Sequence, residues 1–197
     1  MRKILTLGCA FALCASALFA DDTKKAADDM QKAQMEAWMK ASTPGDAHKK
    51  LDHMVGTWDV TVKSWMAPGA PPMESTGTAE NTWVLGKRWV QESFHGSFMG
   101  MPFEGIGYTG YDNVKQQYVG TWMDNMSTAV MMSSGKSGSG NTYEFTSSMD
   151  DPMTGKPSPV NEKVTFTDAD HHSLEMWGAG PDGKMFKMME IAYSRKK

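Results

Sequence analysis

TWVLGKRWV, Thr82 to Val90, is the stretch on which the fold turns. β-Branched and aromatic residues flank Leu85-Gly86-Lys87-Arg88, and glycine first in a two-residue loop suits a II′ turn, whose twist matches that of antiparallel strands. With Leu85 opposite Arg88, the residues Trp83, Asn81 and Ala79 share a face with Val90, Glu92 and Phe94. Val84, Thr82 and Glu80 share the other with Trp89, Gln91 and His95. Neither face is purely apolar. A packed sandwich would alternate more cleanly, so the mixture predicts a barrel whose interior admits polar groups, as a ligand cavity does.

Working outward, FMGMPFEGIGYTGYDN (98–113) reads as the next strand connection. Phe98 to Phe103 turns one strand into the next, and an even number of loop residues there brings Gly105 and Gly107 onto the face of Phe94 and Trp83, where glycine permits a sharp bend and a neighbouring aromatic can cover it. Tyr111-Asp112-Asn113 then opens a turn. Short β-type runs continue on both sides, at roughly 57–66, 75–85, 88–98, 103–111, 116–124, 127–134, 141–149, 160–168, 172–179 and 184–195. About ten strands at ten-residue spacing, without a helix between them, predict an all-β domain: a single antiparallel β-barrel over 54–197, preceded by an N-terminal helical segment.

That segment, 21–53, is rich in Ala, Lys, Asp and Met. Met30, Met35, Trp38 and Met39 fall near helical spacing, and Ser42-Thr43-Pro44-Gly45 ends the helix; docking against the barrel is the expected use of its apolar side. Before it, residues 1–20 carry Arg2 and Lys3, an apolar run from Ile4 to Phe19 and small residues at the end, the pattern of a secretory signal peptide. The run is shorter than the ~20 residues that a spanning helix needs. The expected location is therefore periplasmic or secreted, with no stable membrane insertion after cleavage.

Cys9 and Cys14 both lie in that leader, so the mature chain has no thiol for disulfides, nucleophilic catalysis or Cys-based metal sites. Without Arg2 and Lys3 the basic residues fall to 18 against 23 acidic ones, and no basic patch emerges; nucleic acid is not an expected partner. Nothing in the composition indicates the oligomeric state.

Several motifs together carry a resemblance: His48-Lys49-Lys50-Leu51, Gly56-Thr57-Trp58, the run Gly69 to Asn113, YVGTWMDNMST (118–128), DPMTGKP (151–157) and GPDGKMFKMMEIAYSRK (180–196). Over 44–196 the chain resembles a bacterial family of uncharacterised, often exported domains of unknown function whose members look like calycin barrels, relatives of the lipocalins and fatty-acid-binding proteins. The resemblance implies a lipocalin-like barrel and a structural Trp58 packed at a closed end. It implies no activity and no catalytic residues.

Candidate sites divide by chemistry. The mature chain holds 18 methionines, among them Met99, Met101, Met131, Met132, Met188 and Met189, and thioethers are soft donors for Cu(I). Adjacent strand residues point to opposite faces, so Met131-Met132 and Met188-Met189 cannot each chelate one ion, and methionine as adaptable apolar lining is the stronger reading. His48, His53, His95, His171 and His172 show no metal-ligand spacing. Calycin-like nitrobindins bind haem through a histidine close to the end of the barrel, but KMFKMMEIAYSRK, the last strand, has none, which leaves only His171 or His172 as substitutes. No nucleophile elbow, phosphate loop or dinucleotide fingerprint occurs. Glu92 and Glu190 are the candidate cavity carboxylates, where burial would raise the pKa and make an acid or base. The expected role is a non-catalytic exported binding protein for a small, largely apolar ligand, with Trp83, Glu92, Phe94, Trp122 and Glu190 at its site and no cofactor or metal. An enzyme using a buried carboxylate is the alternative, and a haem or Cu(I) protein a more distant one.

Overall fold

The computed structural model describes residues 14–138 and 141–197, so most of the predicted leader 1–20 lies outside the described residues. The chain divides into two units at Thr43/Pro44. The first, taken by itself, is one helix, α1 (Cys14–Ser42). It stops where the sequence predicts, with the Ser42 and Thr43 hydroxyls both donating to the Met39 carbonyl at 3.3 and 2.6 Å. Among the described residues no helix is long and apolar enough to cross a membrane.

The second unit begins with α2 (Asp46–Lys49) and a 3₁₀ turn (Lys50–Met54), followed by ten strands. These are β1 (Gly56–Ser64), β2 (Met73–Val84), β3 (Trp89–Phe98), β4 (Met101–Asp112), β5 (Gln117–Asp124), β6 (Met131–Ser137), β7 (Thr142–Asp150), β8 (Pro157–Phe166), β9 (His171–Ala179) and β10 (Met185–Arg195). Each strand pairs antiparallel with its chain neighbours, and β1 pairs with β10, closing the barrel. Closure leaves no strand edge exposed, which is how an all-antiparallel sheet of this size avoids templating aggregation.

The β2–β3 register is the one read from TWVLGKRWV: Trp83 opposite Val90, Asn81 opposite Glu92, Ala79 opposite Phe94. The turn itself differs. Gly86 and Lys87 both have positive φ, +65° and +61°, the sign pattern of a I′ rather than a II′ turn, and Leu85 before them is also at +50°. Lysine and leucine thus occupy backbone that costs them strain, held by the strands on either side. The other visible shift is β6, which starts at Met131, not 127. Asp124 Oδ1 accepts from the Met126 amide at 2.9 Å and Ser127 Oγ from the Ala129 amide at 3.0 Å, so those residues go into a turn instead.

Residues 44–53, expected to travel with the helical segment, sit with the barrel, and together with 54–55 they plug one end. Leu51 is buried among Val90, Tyr118, Tyr143, Phe145 and Phe166, with Ala47, Met54 and Val55 packed against the same cluster. Backbone carbonyls of the plug collect donors from the wall: Tyr118 Oη donates to Ala47 at 3.1 Å, Trp58 Nε1 and Asn81 Nδ2 to Met54 at 2.9 and 3.0 Å, and Arg195 Nη1 to Val55 at 2.9 Å. Around the inner wall at this end runs an aromatic chain in edge or stacked contact, Tyr111–Tyr118–Tyr143–Phe166–His172–Tyr193, with Trp58 edge-on to His172. Trp58, 1% exposed and under the Arg195 guanidinium at 4.1 Å, takes the closed-end place that the resemblance implies.

The opposite end is built differently. It carries the loops that follow β1, β3, β5, β7 and β9, and every methionine of the barrel unit except Met54 lies on that half.

Candidate functional site

Strand alternation fixes which side chains face inward: those in phase with Trp58, Ala79, Phe94, Tyr118, Phe145, Met176 and Tyr193, all buried. On β3 that phase contains Glu92 and Phe94; on β4, Gly105 and Gly107; on β5, Gly120 and Trp122. The rows Phe94–Gly105–Asp124 and Glu92–Gly107–Trp122 run straight across the three strands. A side chain on either glycine would collide with the Trp122 indole, which lies over both. Gly105 and Gly107 therefore serve to seat an aromatic ring inside the barrel, and Trp122 is held there by its Nε1, which donates to Asp124 Oδ2 at 3.0 Å.

Three of the five sequence candidates thus come together: Glu92, Phe94 and Trp122. The other two do not. Trp83 faces inward, but at the plugged end, where its Nε1 donates to Asp52 Oδ1 at 2.7 Å and its ring packs on the plug cluster. Glu190 is on the outer face, opposite Lys63 and accepting from Lys187 Nζ at 2.6 Å; that ion pair holds its carboxyl below the usual range. The cause is a bulge: the β9–β10 register shifts between Lys187 and Met189, so the phase that is interior at Phe186 passes to Met189, Ile191 and Tyr193.

Around Glu92 the structure adds partners that the sequence reading missed. Tyr193 Oη donates to Glu92 Oε1 at 3.3 Å, and Asn81 stands directly opposite on β2. Burial raises the Glu92 carboxyl to about 7, against the lowering effect of its hydrogen bonds with Tyr193 and Asn81. Glu92 retains some accessible surface, yet it is deep inside the barrel. Surface on the inside of a closed barrel does not solvate a charge as bulk water does, so desolvation governs the carboxyl. Asn81 is 1% exposed, and while its Nδ2 is used by the Met54 carbonyl, its Oδ1 has no hydrogen-bond partner.

A second interior carboxyl, Glu162 on β8, accepts from Ser147 Oγ at 2.9 Å and is likewise raised by burial. β3 and β8 are five strands apart in a ring of ten, so the two carboxyls sit on opposite walls. His172 is neutral: desolvation, then the Arg195 charge, lower it to about 3. With Tyr193 and Phe166 stacked on its faces and Trp58 at its edge, the imidazole is a packing element of the plugged end, whereas His171 is exposed and bonded to Asp168. Among the described residues no group of three or more His, Cys, Asp or Glu is placed to hold a metal ion.

Burial inside the barrel is most complete at one end. At the plugged end Trp58, Val90, Asn81, Tyr118 and Leu51 are essentially inaccessible. Midway up the wall, inward-facing Gly120, Ser133, Gly135, Leu174 and Ile191 all keep accessible surface, as Glu92 does. Small residues line that wall on adjacent β5 and β6, and Ser133 Oγ and the Glu144 backbone already occupy the space where side chains on Gly120 and Gly135 would begin. At the far rim a cleft of about 100 Å³ is lined by Ser64, Met73, Ser75, Phe98 and Met99.

A family model described as "Protein of unknown function (DUF1579)" matches residues 43–195. Among solved structures, the chain is similar to Rv2717c from M. tuberculosis, at 15% identity and TM-score 0.59, over 79% of this chain and 100% of that one. It is also similar to the S-type phycobiliprotein lyase CPES from Guillardia theta, at 13% identity and TM-score 0.56, over 81% of this chain and 96% of that one. Both likenesses are of fold. No curated protein matches the sequence.

Proposed function

The chain belongs to the DUF1579 family, and because that description assigns no activity, we propose from the barrel itself that the protein is an exported, non-catalytic binding protein that takes a small, largely apolar molecule into the half of the barrel away from the plug. One observation carries this reading: mid-wall interior positions are accessible in a barrel whose other end is filled. A chain selected only for stability gains by filling such space, since lining atoms without neighbours forfeit dispersion contacts. Phe94 and Trp122 supply apolar wall, and Glu92, Asn81 and Tyr193 supply a few convergent polar groups, the usual make-up of a small-molecule site. The methionine-rich far rim suits entry, because unbranched thioether side chains adapt to what passes them. Export rests on the leader-like residues 1–20.

Native mass spectrometry of the purified protein tests the reading, together with titration of an apolar fluorescent probe. A co-purifying small molecule, or saturable 1:1 probe binding that is weakened when Ser133→Leu adds bulk to the inner wall, is the expected result. Neither a bound molecule nor probe binding would reject it.

Glu92 favours a second reading. A buried carboxyl near pKa 7 with a tyrosine hydroxyl on it is suited to move a proton at neutral pH. The phycobiliprotein lyase belongs to the same fold by likeness, so a barrel of this kind is compatible with chemistry on a bound molecule. Turnover of a candidate substrate that disappears in Glu92→Gln, with the melting curve unchanged, would establish it.

A further inference from the structure

The inward-facing positions of the ten strands have an unbalanced charge. They include the acids Glu92, Asp124 and Glu162, whereas the basic residue in that phase, Arg195, is committed at the plugged end to the Val55 and Ala169 carbonyls, the Trp58 ring and Asp170. A buried carboxylate ordinarily has a cation beside it. Glu92 has a tyrosine hydroxyl and an asparagine amide, and Glu162 a serine hydroxyl. Directly across from Glu92, the buried Asn81 Oδ1 is an acceptor without a donor. Hydroxyl and amide groups are the partners of these interior carboxyls, and among the described residues no cationic side chain stands beside either.

Resting on the binding reading above, we infer that the ligand is a cation: a small apolar molecule carrying a protonated amine, whose ammonium group donates to Glu92 while its apolar part lies along Phe94 and Trp122. An ammonium has three donors and no acceptor, and it carries the positive charge that both interior carboxyls lack beside them. Aromatic faces beside it add attraction for a desolvated cation. An anionic ligand would face acids on opposite walls with no counter-charge, and a neutral alcohol would bring no charge to balance them.

The test uses three probes with the same eight-carbon tail, octylamine, octanol and octanoate, titrated calorimetrically into the barrel protein at pH 7. Octylamine should bind at least tenfold more tightly than octanol, with octanoate weakest. Glu92→Gln, which keeps the side-chain shape, should collapse the amine-to-alcohol ratio to within about threefold. Glu162→Gln, on the far wall, serves as the independent second variant and should narrow the ratio less. Equal binding of all three probes, or preference for octanoate, would overturn the cation inference and leave the apolar cavity standing; a ratio undiminished in both variants would overturn it too. Binding of none of the three would remove the cavity reading together with the inference.

Discussion

The two ends of the barrel solve opposite problems with the same ten strands. At the plugged end, Leu51 and Trp58 are 2% and 1% exposed, aromatic rings contact one another around the wall, and carbonyls of 47–55 are matched to side-chain donors from several strands. At the other end, Met99 and Met153 are 65% and 91% exposed, and interior glycines and serines leave accessible wall below them. Rigid rings with directional partners make the first region the seat of stability. Flexible thioethers and small residues make the second adaptable, and a protein that admits a ligand needs both properties in separate places.

The largest test of this contrast is a pair of tryptophans. Trp58→Ala should cost about 3–5 kcal/mol, the range for truncating a packed aromatic, with the Met54 carbonyl losing a donor besides. Trp122→Ala, in the half-filled region, should cost about half as much or less. Denaturant midpoints of the two variants decide it, and equal costs would break the comparison.

Acid and base should then act on different halves. His172 is held near pKa 3 in the fold against an ordinary 6.5, so the unfolded chain binds the extra proton and stability is lost as pH falls from about 6.5 towards 3, by up to about 5 kcal/mol. His172→Phe should flatten the midpoint over that window. Glu92 has the opposite sign. Its folded pKa of about 7 lies above the ordinary 4.5, so the folded state holds the proton longer and stability falls as pH rises from about 4.5 to 7, by about 3 kcal/mol. Glu92→Gln should therefore be more stable than wild type above pH 7 and level with it near pH 4, as read from melting temperatures across pH. A gain that did not change with pH would mean that the Glu92 carboxyl is not desolvated.

The smallest effect belongs to the far rim. Met99→Leu with Met101→Leu conserves volume and apolarity at exposed positions and should cost less than about 1.5 kcal/mol. The same pair sharpens the contrast by a second measurement. In a Cu(I) competition titration, weak and equal binding by both proteins fits methionine as apolar cover; tight stoichiometric binding by wild type alone would make the rim a metal site.

What the sequence determined by itself is what its local order encodes. Alternation about Gly86-Lys87 set the β2–β3 register, and turn residues every ten positions set the number of strands. Two residues apart in a strand share a face whatever surrounds them, so the face that Glu92 shares with Trp83 and Phe94, and the presence of a polar group on it, follow from the order of residues alone. Tertiary structure decided the rest, because the deciding partner was distant in sequence. Tyr193 reaches Glu92 from the last strand, Glu162 sits on the opposite wall, and Trp83 is taken by the plug through Asp52. Glu190 turns outward because one bulge at Lys187/Met189 exchanges the two phases of β10, and KMFKMMEIAYSRK has apolar residues in both, so the alternation itself carries no mark of where the exchange occurs. The Glu92 pKa is the clearest case. Its side chain is ordinary, and only closure of β1 onto β10 removes the water that would have kept it so.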